Sequence, residues 1–372
     1  MKIIEFIKKD FMTVAAVVLA LFSFVITPPD ASLLSAIDWK TLAVLFMLLS
    51  VLDGFKHENL FNPVLKFAGR IKNLTAMCFF LVFSVFFSSM FVTNDVSLII
   101  FIPLTVMILT NVNQESLILP MLTMENIAAI RGSLLTPFGS PQNLFLFSNN
   151  DITTASFLKM MLPLWLFSMV MISVFIVVIN RKKLGLKILV SFNHENEKPT
   201  FRKFLYLFLF VIVVWTIVSR TALWPYVTIA VAVLLLIFDR SVFKRVDYAL
   251  LLTFLCFFVF ASSVTSNEKV AGFLQRCVEG NEYWISIVLS QFISNVPAAI
   301  VMHPFSSSLK PLIYGLDTAG LVFIIGSLAS VINLRLYMRE CNGKAKDFII
   351  VFEKISLLFF VCCVVFQSFI MR

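Results

Sequence analysis

Each half of this chain carries a long apolar segment interrupted by a small polar cluster, and the two clusters sit in matching frames. In the first half Phe91-Val92-Thr93-Asn94-Asp95-Val96 leads on to Pro103; in the second Phe292-Ile293-Ser294-Asn295-Val296-Pro297 leads on to Pro304. Aligned on Asn94 and Asn295, the frames also match Ser89 with Ser290 and Phe83 with Trp284. Two further anchors keep the same order. Asp38-Trp39 opens an apolar helix as Asp247-Tyr248 does, and Phe138-Gly139-Ser140 corresponds to Ile325-Gly326-Ser327. These anchors make an internal repeat. Hydrocarbon gives backbone groups no partner, so an unwound tip at membrane depth must be buried in protein or face a wet cavity. Broken apolar helices at corresponding positions of two repeats point to the substrate site of a secondary transporter.

The repeat sits in a chain of 372 residues, 60% of them hydrophobic and 14% charged, with 42 Phe and a mean hydropathy of +0.96. A soluble core does not hide that much apolar side chain, so the expected class is an all-α polytopic membrane protein. A crossing helix takes roughly 20 apolar residues, and spans with short loops fill the length. The net charge of +9 lies in short loops between apolar runs. It reads as a topology signal and not as a nucleic-acid surface. The cysteines Cys78, Cys256, Cys277, Cys341, Cys362 and Cys363 show no metal or redox spacing and read as packing residues. The first apolar stretch follows Lys8 and Lys9 but lacks a small-residue cleavage site, so it reads as a span.

Apolar runs give candidate crossings near 11–27, 39–53, 116–148, 158–180, 203–219, 222–238, 248–265, 315–335 and 348–370, while 74–109 and 283–305 fold back on themselves. A cytoplasmic N-terminus places Lys56, Lys66, Arg70 and Lys72 inside, together with Arg181, Lys182, Lys183 and Lys187, then Arg240, Lys244 and Arg245, then Arg335, Arg339, Lys344 and Lys346. The C-terminus then lies outside. The repeats come out inverted in topology, each with a re-entrant helical hairpin and a broken transmembrane helix. The first repeat is 1–180, with its hairpin at about 74–109 and its broken helix at about 116–148. A basic cytoplasmic linker and linking helix occupy 181–221. The second repeat is 222–372, with its hairpin at about 283–305 and its broken helix at about 315–335.

A hairpin tip exposes free amides on one arm, which suit an anionic oxygen, and free carbonyls on the other, which with Asn or Ser oxygens suit sodium. Thr93, Asn94 and Asp95 form one tip, with Asp95 able to neutralise a cation or carry a proton; Ser294, Asn295 and Pro297 mark the other. In Thr136-Pro137-Phe138-Gly139-Ser140-Pro141-Gln142-Asn143 two prolines and a glycine break the helix, leaving Gly139, Ser140, Gln142 and Asn143 as candidate ligands. The counterpart, Gly326-Ser327-Leu328-Ala329-Ser330-Val331-Ile332-Asn333, lacks proline and is expected to unwind less; its candidates are Gly326, Ser327, Ser330 and Asn333. Sodium is expected at Thr93, Asn94, Asp95, Ser140 and Asn143, and again at Ser294, Asn295 and Ser327. Glu125 and Arg131 lie on the helix before the first break and either pair there or stabilise the bundle. His303 is expected at the interface, and Asp317 at a helix start near the outer surface.

These residues resemble the ion transporter superfamily of arsenite permeases, citrate transporters, divalent anion/sodium symporters and a sodium/proton antiporter branch. Val92-Thr93-Asn94-Asp95-Val96-Ser97 with Pro103 looks like the TND hairpin of the arsenite permease and citrate transporter branches. Thr136 to Leu144 is similar to their TPxGxPxN segment, Asp38-Trp39 to their IDW-like helix start, and Ser294-Asn295-Val296-Pro297 to the second hairpin motif. In the divalent anion symporters the tips carry Ser-Asn-Thr triplets that bind sodium and substrate carboxylate; here both tips lack the third hydroxyl. The resemblance implies a scaffold domain, a moving transport domain and often a homodimer. The expected function is a secondary active transporter of a small inorganic or organic anion in the cytoplasmic membrane, coupled to sodium or protons by alternating access, with membrane lipid around it and no further cofactor. The alternative is a sodium/proton antiporter with Asp95 as carrier. No Ser/His/Asp arrangement, HExxH or glycine-rich phosphate loop suggests an enzyme.

Overall fold

The computed structural model describes residues 11–26, 34–35, 37–60, 67–188, 200–219, 221–341 and 343–371. The expectations placed on Lys8, Lys9, Lys66, most of the 28–37 loop and the linker at 189–199 fall outside these residues. Among them every extended element is a helix, and the one β-bridge pairs Asn73 with Lys187. In chain order the helices are α1 (Phe11–Ile26), α2 (Trp39–His57), α3 (Leu74–Val92), α4 (Asn94–Asn111), α5 (Ile118–Ser133), α6 (Pro141–Asn149), α7 (Thr154–Asn180), α8 (Phe201–Val218), α9 (Trp224–Phe238), α10 (Val242–Arg245), α11 (Tyr248–Ser266), α12 (Glu268–Val278), α13 (Glu282–Ile293), α14 (Asn295–Met302), α15 (Leu309–Ala319), α16 (Leu328–Cys341) and α17 (Ala345–Ile370). Six of them, α3, α4, α7, α8, α11 and α17, are long and apolar enough to cross a membrane.

The repeat is visible in backbone angles. Asp38 and Asp247 cap α2 and α11 at φ −77 ψ 82 and φ −76 ψ 82, each side chain accepting from the amide three residues on. Thr93 and Ser294 turn the two hairpins at φ 70 ψ 158 and φ 68 ψ 159. Ser140 and Ser327 precede α6 and α16 in the same extended conformation, at φ −143 ψ 149 and φ −144 ψ 137. Both hairpins fold back fully. Ser88 Oγ donates to Ser97 Oγ at 2.9 Å, and Ser286 Oγ meets Met302 Sδ at 3.6 Å; in a continuous helix these pairs would be about 13 and 24 Å apart.

The hairpins differ in length. The α3 and α4 arms run about 28 and 27 Å, close to the thickness of a hydrocarbon core, while α13 and α14 reach only about 18 and 12 Å. They also enter from opposite ends of the bundle. α7 and α17 run antiparallel, with Phe175 beside Phe359 at 5.4 Å and Phe167 stacked on Phe366 at 4.2 Å between ring centroids. At the Asn180 end the following loop pairs with the base of the first hairpin, Leu74 N donating to Leu186 O and Ile188 N to Lys72 O, both at 2.9 Å. At the other end Lys310 Nζ donates to Ile370 O at 2.6 Å, and Ser307 Oγ closes the base of the second hairpin on Glu282 Oε1 at 2.9 Å. This arrangement is consistent with an inverted repeat.

Packing is reciprocal between the halves. The first hairpin arms α3 and α13 lie on α5 and α15 of their own half; the second arms α4 and α14 reach across to α16 and α6 of the other. Away from these, α2 packs against α8, α9 and α10, and α11 against α1. A polar cluster ties that layer together. Arg245 Nε donates to Asp53 Oδ2 at 2.6 Å and its Nη2 to Asp239 Oδ2 at 3.1 Å, and Tyr206 Oη donates to Asp239 Oδ2 at 2.7 Å. Burial alone would raise the Asp239 carboxyl, but hydrogen bonds from Ser241, Tyr206 and Arg245 and the arginine charge outweigh it and hold the group at about 2.

Candidate functional site

Glycine governs how close the broken helices come to the hairpins. A Cβ on Gly132, near the end of α5, would sit 1.9 Å from Phe86 O, and one on Gly315, in α15, would sit 2.4 Å from Tyr283 O. Both helices therefore touch the backbone of the arm beside them. After Ser133 the chain unwinds through 134–140. Gly139 bends back to the helix end it has just left, where a Cβ would lie 2.2 Å from Ser133 O. Ser140 Oγ then accepts from Asn143 N at 3.4 Å, with Pro141 at the start of α6.

The second break, through 320–327, lacks proline and keeps a 3-10 turn at Ile324–Gly326, so it unwinds less completely than the first, as expected. A side chain holds it open. Gln291 of α13 donates from Nε2 to Ala319 O at 3.0 Å and accepts from Phe323 N at 3.2 Å, taking over backbone groups that the lost turn has released. Gly326 allows this, since a Cβ there would lie 2.5 Å from Ala319 O and 2.8 Å from Gln291 Oε1. In the first half Met90, the position aligned with Gln291, uses its carbonyl instead and accepts from Thr136 Oγ1 at 2.5 Å. Each hairpin is thus fastened to its own broken helix at the same repeat position.

The two breaks meet at Asp317. This residue was expected at a helix start near the surface; it lies in the last turn of α15, 2% exposed. α15 runs Leu309–Ala319 and does not begin near 315, which carries Asp317 from a helix start to a helix end. Gln142 Nε2 donates to Asp317 Oδ1 at 3.0 Å and Asn143 Nδ2 to Oδ2 at 3.2 Å. A carboxylate from one half therefore occupies the N-terminal turn of a helix from the other, where free amides and the helix dipole favour negative charge. Arg131, in the last turn of α5, is fully buried, and its Nη2 donates to Thr318 Oγ1 at 3.3 Å. Its Nε and Nη1 have no hydrogen-bond partner. Thr318 also receives Gln367 Nε2 at 2.8 Å, while Tyr283 Oη donates to Gln367 Oε1.

The hairpin tips are buried but bonded locally. Ser97 Oγ donates to Thr93 O at 3.0 Å, Asp95 N to Asn94 Oδ1 at 3.0 Å, and Ser294 Oγ to Asn295 Oδ1 at 3.4 Å. Pro297 is buried in the first turn of α14, and Ser327 packs beside Gly320. Among the described residues no hydrogen bond joins one tip to the other. Ser330 and Asn333 face away from Asp317: Ser330 Oγ accepts from Asn126 Nδ2 at 2.9 Å, and Asn333 Nδ2 donates to Leu122 O at 2.7 Å. Asn143 Oδ1 and Asp95 Oδ1 are buried oxygens with no donor. His303 does lie at the hairpin base, beside Asp38, Asn149 and Phe145 on a cavity of about 180 Å³.

A helical bundle whose halves each fold a hairpin and break a helix among apolar spans defines a multi-pass membrane transporter. Residues 2–328 match the model of the citrate transporter family, and the chain belongs to that family. It is 30% identical to an uncharacterized transporter of Methanocaldococcus jannaschii over 338 residues, 90% of each chain. It is also 28% identical to the inner membrane protein YbiR of Escherichia coli over 311 residues, 81% of each chain.

Proposed function

We propose that this protein is a secondary active transporter of a small anion, inorganic or organic, coupled to sodium or protons and working by alternating access. The observation that supports it best is the Asp317 carboxylate held by Gln142 and Asn143 across the seam between the halves. Those amides form a receptor for an anionic oxygen, and the protein's own acid fills it. A proton or a sodium ion arriving at Asp317 weakens its hold on both amides and frees them for a substrate oxyanion. Coupling follows from the exchange: Arg131 already offsets the one carboxylate, so a substrate anion added beside Asp317 is accommodated when Asp317 takes up a proton or a sodium ion. Thr93, Asn94, Asp95, Ser140 and Asn143 form the cation subsite on one side, Ser294, Asn295 and Ser327 its counterpart. The basic loops support an N-terminus in the cytoplasm and a C-terminus outside, in a cytoplasmic membrane.

The test uses proteoliposomes with labelled citrate as probe and an imposed sodium or proton gradient. Asp317→Asn is expected to lose accumulation against a gradient while keeping exchange of internal for external citrate; undiminished accumulation would refute the coupling role. Cation/proton exchange is the second reading, favoured by the unpartnered Asp95 Oδ1. Cation-driven proton movement with no added anion would support it.

A further inference from the structure

One group of buried polar side chains takes no part in the site above. α5 packs against α4 and α16, and those two pack against each other, so three helices close around one seam. Glu125 and Asn126 of α5, Thr105 of α4 and Ser330 and Asn333 of α16 are all fully buried there. Thr105 Oγ1 donates to Glu125 Oε1, Asn126 Nδ2 to Ser330 Oγ at 2.9 Å, and Asn333 Nδ2 to Leu122 O at 2.7 Å. These bonds leave three buried oxygens without a partner: Glu125 Oε2, Asn126 Oδ1 and Asn333 Oδ1.

Each such oxygen is destabilising if it stays unpaired in the folded chain. A proton on Glu125 neutralises the carboxylate and lets it donate to one amide oxygen, which still leaves the other without a partner. A cation that prefers oxygen ligands satisfies all three and neutralises the carboxylate at the same time. We propose that this seam binds a sodium ion, with Glu125 as the charged ligand and the Asn126 and Asn333 side-chain oxygens as neutral ones. Glu125 lies six residues before Arg131 on α5, about 9 Å along the helix, so the site is separate from the meeting of the two breaks. The proposal rests on the transporter reading for its use in coupling, but sodium binding needs no transported anion.

The experiment follows the thermal midpoint of the purified full-length chain as sodium chloride replaces choline chloride at constant ionic strength. Three proteins are compared: wild type, an Asn94→Ala/Asn295→Ala double variant that disables both hairpin tips, and that double variant with Glu125→Gln added. The double variant should keep a saturable rise with sodium, and Glu125→Gln should raise the half-saturating concentration about tenfold or more, as loss of a charged ligand does. Asn126→Ala is the second probe should Glu125→Gln fail to fold, with the same expectation. No sodium response in wild type, loss of it in the double variant, or no change on adding Glu125→Gln or Asn126→Ala would each overturn the proposal. Failure of the same preparation to take up labelled citrate would count against the anion reading and leave the sodium result standing.

Discussion

Asp317 shows what one residue contributes and why a sequence hides it. Its partners Gln142 and Asn143 lie 175 and 174 positions away, in the other half, so no local pattern marks the acid as central. The break at Pro137, Gly139 and Pro141 was legible because two prolines and a glycine within five residues together disfavour a continuous helix, whereas single prolines such as Pro103 and Pro163 are tolerated. Replacing Asp317 by Ala leaves two buried amides without an acceptor and should destabilise the protein by about 2 kcal/mol. Asp317→Asn, which retains an acceptor oxygen, should cost less; thermal midpoints of the two variants decide this, and equal loss would contradict the account. The turning residues Thr93 and Ser294 were legible as tips, but their backbone was not. At φ 70 and φ 68 they occupy a region that belongs to glycine, at a cost of about 1 to 3 kcal/mol each. Thr93→Gly should therefore raise the thermal midpoint while lowering transport, because the tip loses both its strain and its hydroxyl.

At the scale of elements, the hairpins and broken helices could be read from apolar runs and their interruptions, whereas the lengths of their parts could not. The second break is held open by Gln291, a residue of a neighbouring helix, and a polar side chain inside an apolar run gives no sign of which backbone it serves. Gln291→Ala removes bonds to Ala319 O and Phe323 N and should cost about 1 to 3 kcal/mol; an unchanged midpoint would show that the break holds itself. Gly139→Ala drives a Cβ to 2.2 Å from Ser133 O and should be destabilising by about 3 kcal/mol. The base of the second hairpin should respond to acid. Burial lowers the His303 imidazole from its ordinary value of 6.5, with Asp38 pulling the other way. A depressed folded value means that the unfolded chain binds the proton first, so stability is full above 6.5 and declines as pH falls toward the lowered value. His303→Gln should flatten that decline between pH 7.5 and 5.5; an identical slope would remove His303 from the explanation.

For the molecule as a whole, the matched angles at Asp38 and Asp247, Thr93 and Ser294, and Ser140 and Ser327 make each half a copy of the other's local design. The hairpins enter from opposite ends and lend their second arms to the opposite half, so neither half builds the site alone. That exchange was only partly visible in the sequence. Loop charge suggested the inversion, but packing of α4 on α16 and α14 on α6 depends on contacts far apart in the chain. The central claim is that both halves together bind a small anion with a cation. It is tested most directly by thermal stabilisation of the purified protein with citrate and a panel of other small anions, each in sodium and in choline at two pH values. The account predicts stabilisation by at least one anion that depends on sodium or on pH and is lost in both Asn94→Ala and Asn295→Ala. Stabilisation by sodium or pH alone, with no anion effect, would contradict it and point to cation/proton exchange.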